Sequence, residues 1–94
     1  MNTRLSRLTL AAHIMKALAC AQAAGRPLAL QGLVKELGVL RREVEDSLQR
    51  LQVEGLVDVA RMRPTVHGFA LGASLVNRRL APLRPPNVGR LIAA

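Results

Sequence analysis

Between residues 30 and 57 the chain runs LQGLVKELGVLRREVEDSLQRLQVEGLV, and this stretch constrains the fold more tightly than any other. Leu30, Leu33, Val34 and Leu37 are spaced i, i+3, i+4 and i+7, which gathers them on one face of a helix. Leu40, Val44, Leu48 and Leu51 gather in the same way. Gly38 separates the two runs and Gly55 follows the second. Glycine tolerates the positive-φ backbone that stops a helix and reverses the chain. The pattern predicts two short amphipathic helices, the second over residues 41–54, joined by a tight turn. Neither can bury its apolar face alone, so both need further elements to pack against.

Residues 4–24 supply one such element, a long helix with two apolar stripes. Leu10, Ile14, Leu18 and Ala21 form one stripe; Leu5, Leu8, Ala12, Met15 and Ala19 form the other. One stripe can cover the helix pair, which leaves the second for another partner, expected to be a second subunit. Gly25-Arg26-Pro27 ends this helix, and Leu28-Ala29 is an extended connector that could form one strand of a small sheet. Residues 56–61 carry valines at alternate positions and read as a strand. Residues 62–65 are expected to loop, because Pro64 cannot donate into a ladder. Residues 66–71 read as the return strand, with Phe69 and Leu71 as a core pair. Residues 73–81 form a last helix with Leu75, Val76 and Leu80 apolar, and an extended tail with Pro85-Pro86 follows from Pro82. Leu91-Ile92 in that tail could dock on a partner. The fold class is therefore mainly α with a small β-hairpin, one domain over residues 1–81 and a tail over 82–94.

Half the residues are apolar, which is high for so small a chain and again favours a covered face between subunits. Phe69 is the only aromatic, so leucine, valine and alanine must build the core, and binding single strands by base stacking is disfavoured. The net charge of +8 is unevenly spread. Residues 1–35 and 61–94 carry bases and no acid, whereas all six acids fall within residues 36–60. Such a chain is drawn to polyanions, nucleic acid or an anionic membrane; a plain arginine-rich surface is the alternative. The single cysteine, Cys20, excludes an internal disulfide and reads as a small packed residue. Arg4 and Arg7 followed by LTLAAHIMKALACAQAAG superficially imitate a secretory leader, but His13 and Lys16 interrupt its apolar stretch. No apolar run is long enough to span a bilayer, and a cytoplasmic location is expected. His13 and His67 have no carboxylate or nucleophile patterned beside them, and no phosphate-loop, dinucleotide or zinc spacing occurs. The sequence thus points away from an enzyme, and no cofactor or metal is expected.

The strongest local signatures are Leu37-Gly38-Val39, the Val44, Leu48, Leu51 series, Glu54-Gly55-Leu56-Val57 and Gly68-Phe69-Ala70-Leu71. With the predicted order of helix, short strand, helix, turn, helix, hairpin and helix, the chain resembles the winged helix-turn-helix family from Leu5 to about Leu80. LTLAAHIMKALA and the Gly-Phe-Ala-Leu segment look most like the IscR-type bacterial regulators, with MarR-type regulators next. The cluster-binding members of the former carry several cysteines after the wing, and this chain has none there.

The resemblance implies a recognition helix over residues 41–54 lying in a major groove, and a wing over residues 61–66 touching backbone or minor groove. Setting Val44, Leu48 and Leu51 inward turns Arg42, Asp46, Gln49, Arg50 and Val53 outward, with Glu45 beside them and Arg41 at the helix start. Arginine can bind guanine, glutamine adenine, and a carboxylate the cytosine amino group. Arg61, Arg63, Thr65 and His67 would contribute from the wing, and Arg4, Arg7, Arg78 and Arg79 could flank phosphates. Two departures stand out: Leu40 occupies the capping position where the family usually has serine or threonine, and the outward row is charge-balanced. Arg42 with Asp46, and Asp46 with Arg50, are spaced to form i,i+4 ion pairs. The implied function is a sequence-specific duplex-DNA-binding transcriptional regulator, acting as a homodimer through residues 5–24 and 73–81. Repression is the expected mode, since no separate activation domain fits in this length. A winged-helix protein-interaction or assembly module that does not read DNA is the alternative.

Overall fold

A computed structural model of the protein describes residues 7–80 and residue 83. Among these residues there are four helices and a two-stranded sheet in the order α1 (Arg7–Ala23), α2 (Leu30–Leu37), α3 (Arg41–Val53), β1 (Val57–Asp58), β2 (Arg63–Pro64) and α4 (Val66–Leu75). Arg4, Leu5, the end of the last predicted helix at Ala81 and the Leu91-Ile92 pair lie outside the described residues. No helix among the described residues is long and apolar enough to cross a membrane.

The helix pair forms as its spacing predicts. α2 ends at Gly38, whose φ of 68° lets its N–H reach back to the Val34 carbonyl. Val39 in the turn is buried, so the reversal is anchored in the core. Gly55, at φ 77°, ends α3. There Leu56 N–H donates to Leu51 and Gly55 N–H to Gln52, both at 2.9 Å, which satisfies the last carbonyls of the helix. The core joins Leu10, Ile14 and Leu18 of α1, Leu33 of α2, Val44, Leu48 and Leu51 of α3, and Val57 of β1. Fully burying each of these larger side chains contributes about 1.5–3 kcal/mol.

The hairpin is shorter than the sequence predicts and the element after it is of a different type. β1 pairs antiparallel with β2 in the register Val57 to Pro64 and Asp58 to Arg63. Pro64 is therefore a strand residue, not part of the loop; both strands of a two-stranded sheet are edges, where a missing N–H is tolerated. Leu28-Ala29 joins no strand. The expected return strand over 66–71 is the front of helix α4, and the expected helix start at Ala73 falls near its end.

Three contacts decide this change. Thr65 caps α4, its hydroxyl oxygen accepting from Gly68 N–H at 3.1 Å while the hydroxyl donates to the Gly55 carbonyl at 2.7 Å. Gly68 and Gly72, one helical turn apart, then lie flush on the elements beneath. A β-carbon on Gly68 would collide with the Leu56 carbonyl, and one on Gly72 with the Met15 carbonyl and, at 2.7 Å, with Ala19 Cβ. Tertiary closeness of this kind outweighs the modest strand propensity of the Val66 to Leu71 segment. As a consequence Phe69 is only half-buried and Leu71 is 43% exposed, so they are not the core pair.

α4 also resolves the two stripes of α1. Leu10, Ile14, Leu18 and Ala21 are buried in the core. Of the second stripe, Met15 and Ala19 are buried beneath α4, Ala12 is half-buried and Leu8 is 84% exposed. Met15 and Ala19 of that stripe are thus covered by the chain itself. Lys16 Nζ donates to the Arg78 carbonyl at 3.1 Å, tying the segment after α4 back to α1.

Candidate functional site

α3 is positioned from both sides. Its inward residues Val44, Leu48 and Leu51 lock it to the core, and Gln52 Oε1 accepts the Val59 N–H at 2.9 Å, pinning the hairpin to its far end. The helix start lacks a side-chain acceptor, because Leu40 occupies the N-cap; Glu43 compensates in part by accepting the Leu40 N–H at 3.2 Å. With rotation set in this way, Arg41, Arg42, Glu45, Asp46, Gln49 and Arg50 are all exposed along one side of α3. Val53 is exposed at the end of the same row, at 86%.

The ion pairing differs from the expected pattern. Arg41 Nε bonds Glu45 Oε2 at 3.2 Å, whereas neither the Arg42–Asp46 nor the Asp46–Arg50 pair forms among the described residues. Spacing alone is not sufficient: exposed pairs gain little over solvation, so side-chain direction decides which of them close. Arg42, Asp46, Gln49 and Arg50 therefore keep their hydrogen-bonding groups toward solvent.

Two clefts border the row. One, about 490 Å³, runs between Glu45, Asp46 and Gln49 on α3, Leu30 at the start of α2, and Val59 and Met62 of the hairpin turn. The other, about 360 Å³, lies between Asp46, Arg50 and Glu54 on α3 and Arg7, Leu8 and Ala11 on α1. The hairpin turn thus stands beside the outward face of α3. Arg61 and Arg63, however, line a separate groove on the other side of that turn, together with Arg26. Arg61 is held 3.7 Å from Asp58, and Arg63 is exposed in β2.

The remaining predicted residues divide. Thr65 is half-buried with its hydroxyl engaged at both ends, so its role is structural and it is not a free hydrogen-bonding group. His67 is exposed in the first turn of α4, not on a hairpin strand. Arg7, Arg78 and Arg79 are exposed; Arg4 is outside the described residues. Arg26 is the basic residue whose position the sequence did not signal, because its Gly25-Arg26-Pro27 context reads only as a helix stop. No group of three or more His, Cys, Asp or Glu among the described residues could hold a metal ion, and Cys20 is half-buried on α1. Compared with known proteins, the chain matches no family model, no curated protein and no solved structure.

Proposed function

We propose that this protein is a cytoplasmic, non-enzymatic regulator of winged helix-turn-helix type that binds duplex DNA as a homodimer and represses transcription by occupying an operator. The observation that carries the proposal is the outward row of α3. After a three-residue turn from α2, this helix presents Arg42, Asp46, Gln49 and Arg50 to solvent, none of them engaged in an internal ion pair among the described residues. A helix held by its neighbours with a free polar row suits insertion in a major groove, where arginine, glutamine and carboxylate each have a base partner. The row is charge-balanced, so affinity would come from cations outside it: Arg61 and Arg63 by the hairpin, and Arg7, Arg78 and Arg79 near the terminal helices. In the homodimer, two α3 helices would meet successive grooves about 34 Å apart.

A gel-shift series of the protein against its own promoter region, run over increasing salt, tests the reading. With about five phosphates contacted per subunit, the logarithm of affinity should fall with that of salt at about −0.9 per contact. Sequence-independent binding, or none at low salt, refutes it.

The exposed Val53 favours a second reading, in which this face of α3 meets a protein. Replacing Arg61 and Arg63 with glutamate separates the two: DNA binding is lost under the first reading, and capture of a protein partner is retained under the second.

A further inference from the structure

We infer that the groove between the end of α1, the loop after it and the hairpin turn is a binding site for a small amphipathic organic anion. The groove measures about 540 Å³, within the usual range for small-molecule sites. Leu18 and Ala21 of α1, Leu28 of the loop and Met62 of the turn supply the hydrocarbon part of its lining. Its rim carries Arg26, Arg61 and Arg63, and no aspartate or glutamate lines it.

The three cations come from two separated parts of the chain. Arg26 follows α1 after the Gly25 turn, where its N–H donates to the Ala21 carbonyl at 2.8 Å. Arg61 and Arg63 flank Met62, which adopts a left-handed φ of 51° unusual for a residue with a side chain. Neither Arg26 nor Arg63 has a carboxylate partner among the described residues, and the Arg61–Asp58 contact is a long, exposed one. The guanidinium groups of Arg26 and Arg63, without carboxylate partners and beside apolar lining residues, match a ligand with one anionic head and a hydrocarbon body. A sugar–phosphate strand satisfies the rim and leaves the hydrocarbon lining bare.

The site stands independently of DNA binding. One consequence rests on the proposed function: a ligand held by Arg61 and Arg63 withdraws them from phosphates, so occupancy lowers affinity for DNA.

The test is a fluorescence titration of the intact protein with 1-anilinonaphthalene-8-sulfonate, an amphipathic anion, and with its uncharged counterpart N-phenyl-1-naphthylamine. Saturable binding of the sulfonate is expected, weakened about fivefold by Arg26→Ala and by Arg63→Ala, with melting temperature unchanged. Both arginines are exposed, so these variants fold. Arg79→Ala, outside the groove, leaves the sulfonate affinity unchanged, and binding of the neutral probe does not respond to any arginine variant. The proposal is overturned if sulfonate binding is absent or non-saturable, if it ignores Arg26→Ala and Arg63→Ala, or if Arg79→Ala weakens it equally. Whether the protein binds DNA does not enter these outcomes.

Discussion

Gly72 of α4 lies against the backbone carbonyl of Met15 in α1, so close that no side chain fits between the two helices. With Gly68 one turn earlier resting on the Leu56 carbonyl, it forms a flat strip by which α4 packs closely, Gly72 on the α1 backbone and Gly68 on the backbone after α3. Gly72→Val should therefore destabilise the domain by at least about 1–3 kcal/mol, the usual cost of overpacking, because the obstruction is backbone and cannot rotate away. Thermal or denaturant melts check this, with Gly32→Ala as the control: Gly32 sits in a helix where an added β-carbon meets only Leu28 Cδ1 at an ordinary 3.5 Å.

Thr65 links the end of α3 to the start of α4 through the Gly55 carbonyl and the Gly68 N–H. Thr65→Ala should cost about 1–2 kcal/mol and Thr65→Ser much less, since serine keeps both hydrogen bonds. Urea unfolding of the two variants at constant m-value measures the difference. Equal losses would place the contribution in the methyl group instead.

Leu40 is a poor N-cap, yet Glu43 already accepts its backbone N–H. Leu40→Ser would complete a reciprocal capping box at the start of α3. Leu40 is 69% exposed, so little burial is lost, and a gain of about 0.5–1 kcal/mol is expected in chemical denaturation.

Arg42 and Gln49 lie on the solvent face of α3, apart from its packing. Arg42→Ala and Gln49→Ala should change stability by no more than about 0.5 kcal/mol. If the proposed function holds, each should cost about 1–3 kcal/mol of discrimination between a cognate site and scrambled DNA, measured by competition gel shift. Arg63→Ala should instead weaken binding to both sequences alike and make the salt dependence shallower by about one contact. The opposite pattern would assign base contacts to the hairpin.

The outward row of α3 was legible in the chain because Val44, Leu48 and Leu51 set the helix rotation by themselves, leaving Arg42, Asp46, Gln49 and Arg50 only the solvent side. Which charges pair along it was not legible, since Arg41–Glu45 and Arg42–Asp46 have identical spacing and only the first closes. In the sequence Thr65 looks like a surface hydrogen-bonding group, because its partner Gly55 lies ten residues away, beyond any local pattern. Arg26 carries no local signal for the same reason: it joins Arg61 and Arg63 only when the hairpin folds back beside it.

Local chemistry alone determined the α2–turn–α3 unit. Apolar spacing sets the faces, Gly38 and Gly55 admit the positive-φ stops, and no distant residue is needed to choose between alternatives. Residues 66–75 are the opposite case. There Gly68, Ala70 and Gly72 alternate as a strand would, while Gly68 and Gly72 are also spaced as one face of a helix, so both periods fit. Only the tertiary structure decided between them, because the helical form alone lets two glycines meet the backbones of Leu56 and Met15 while Thr65 caps the helix start. That choice covered Met15 and Ala19 of the second stripe of α1 from within the chain.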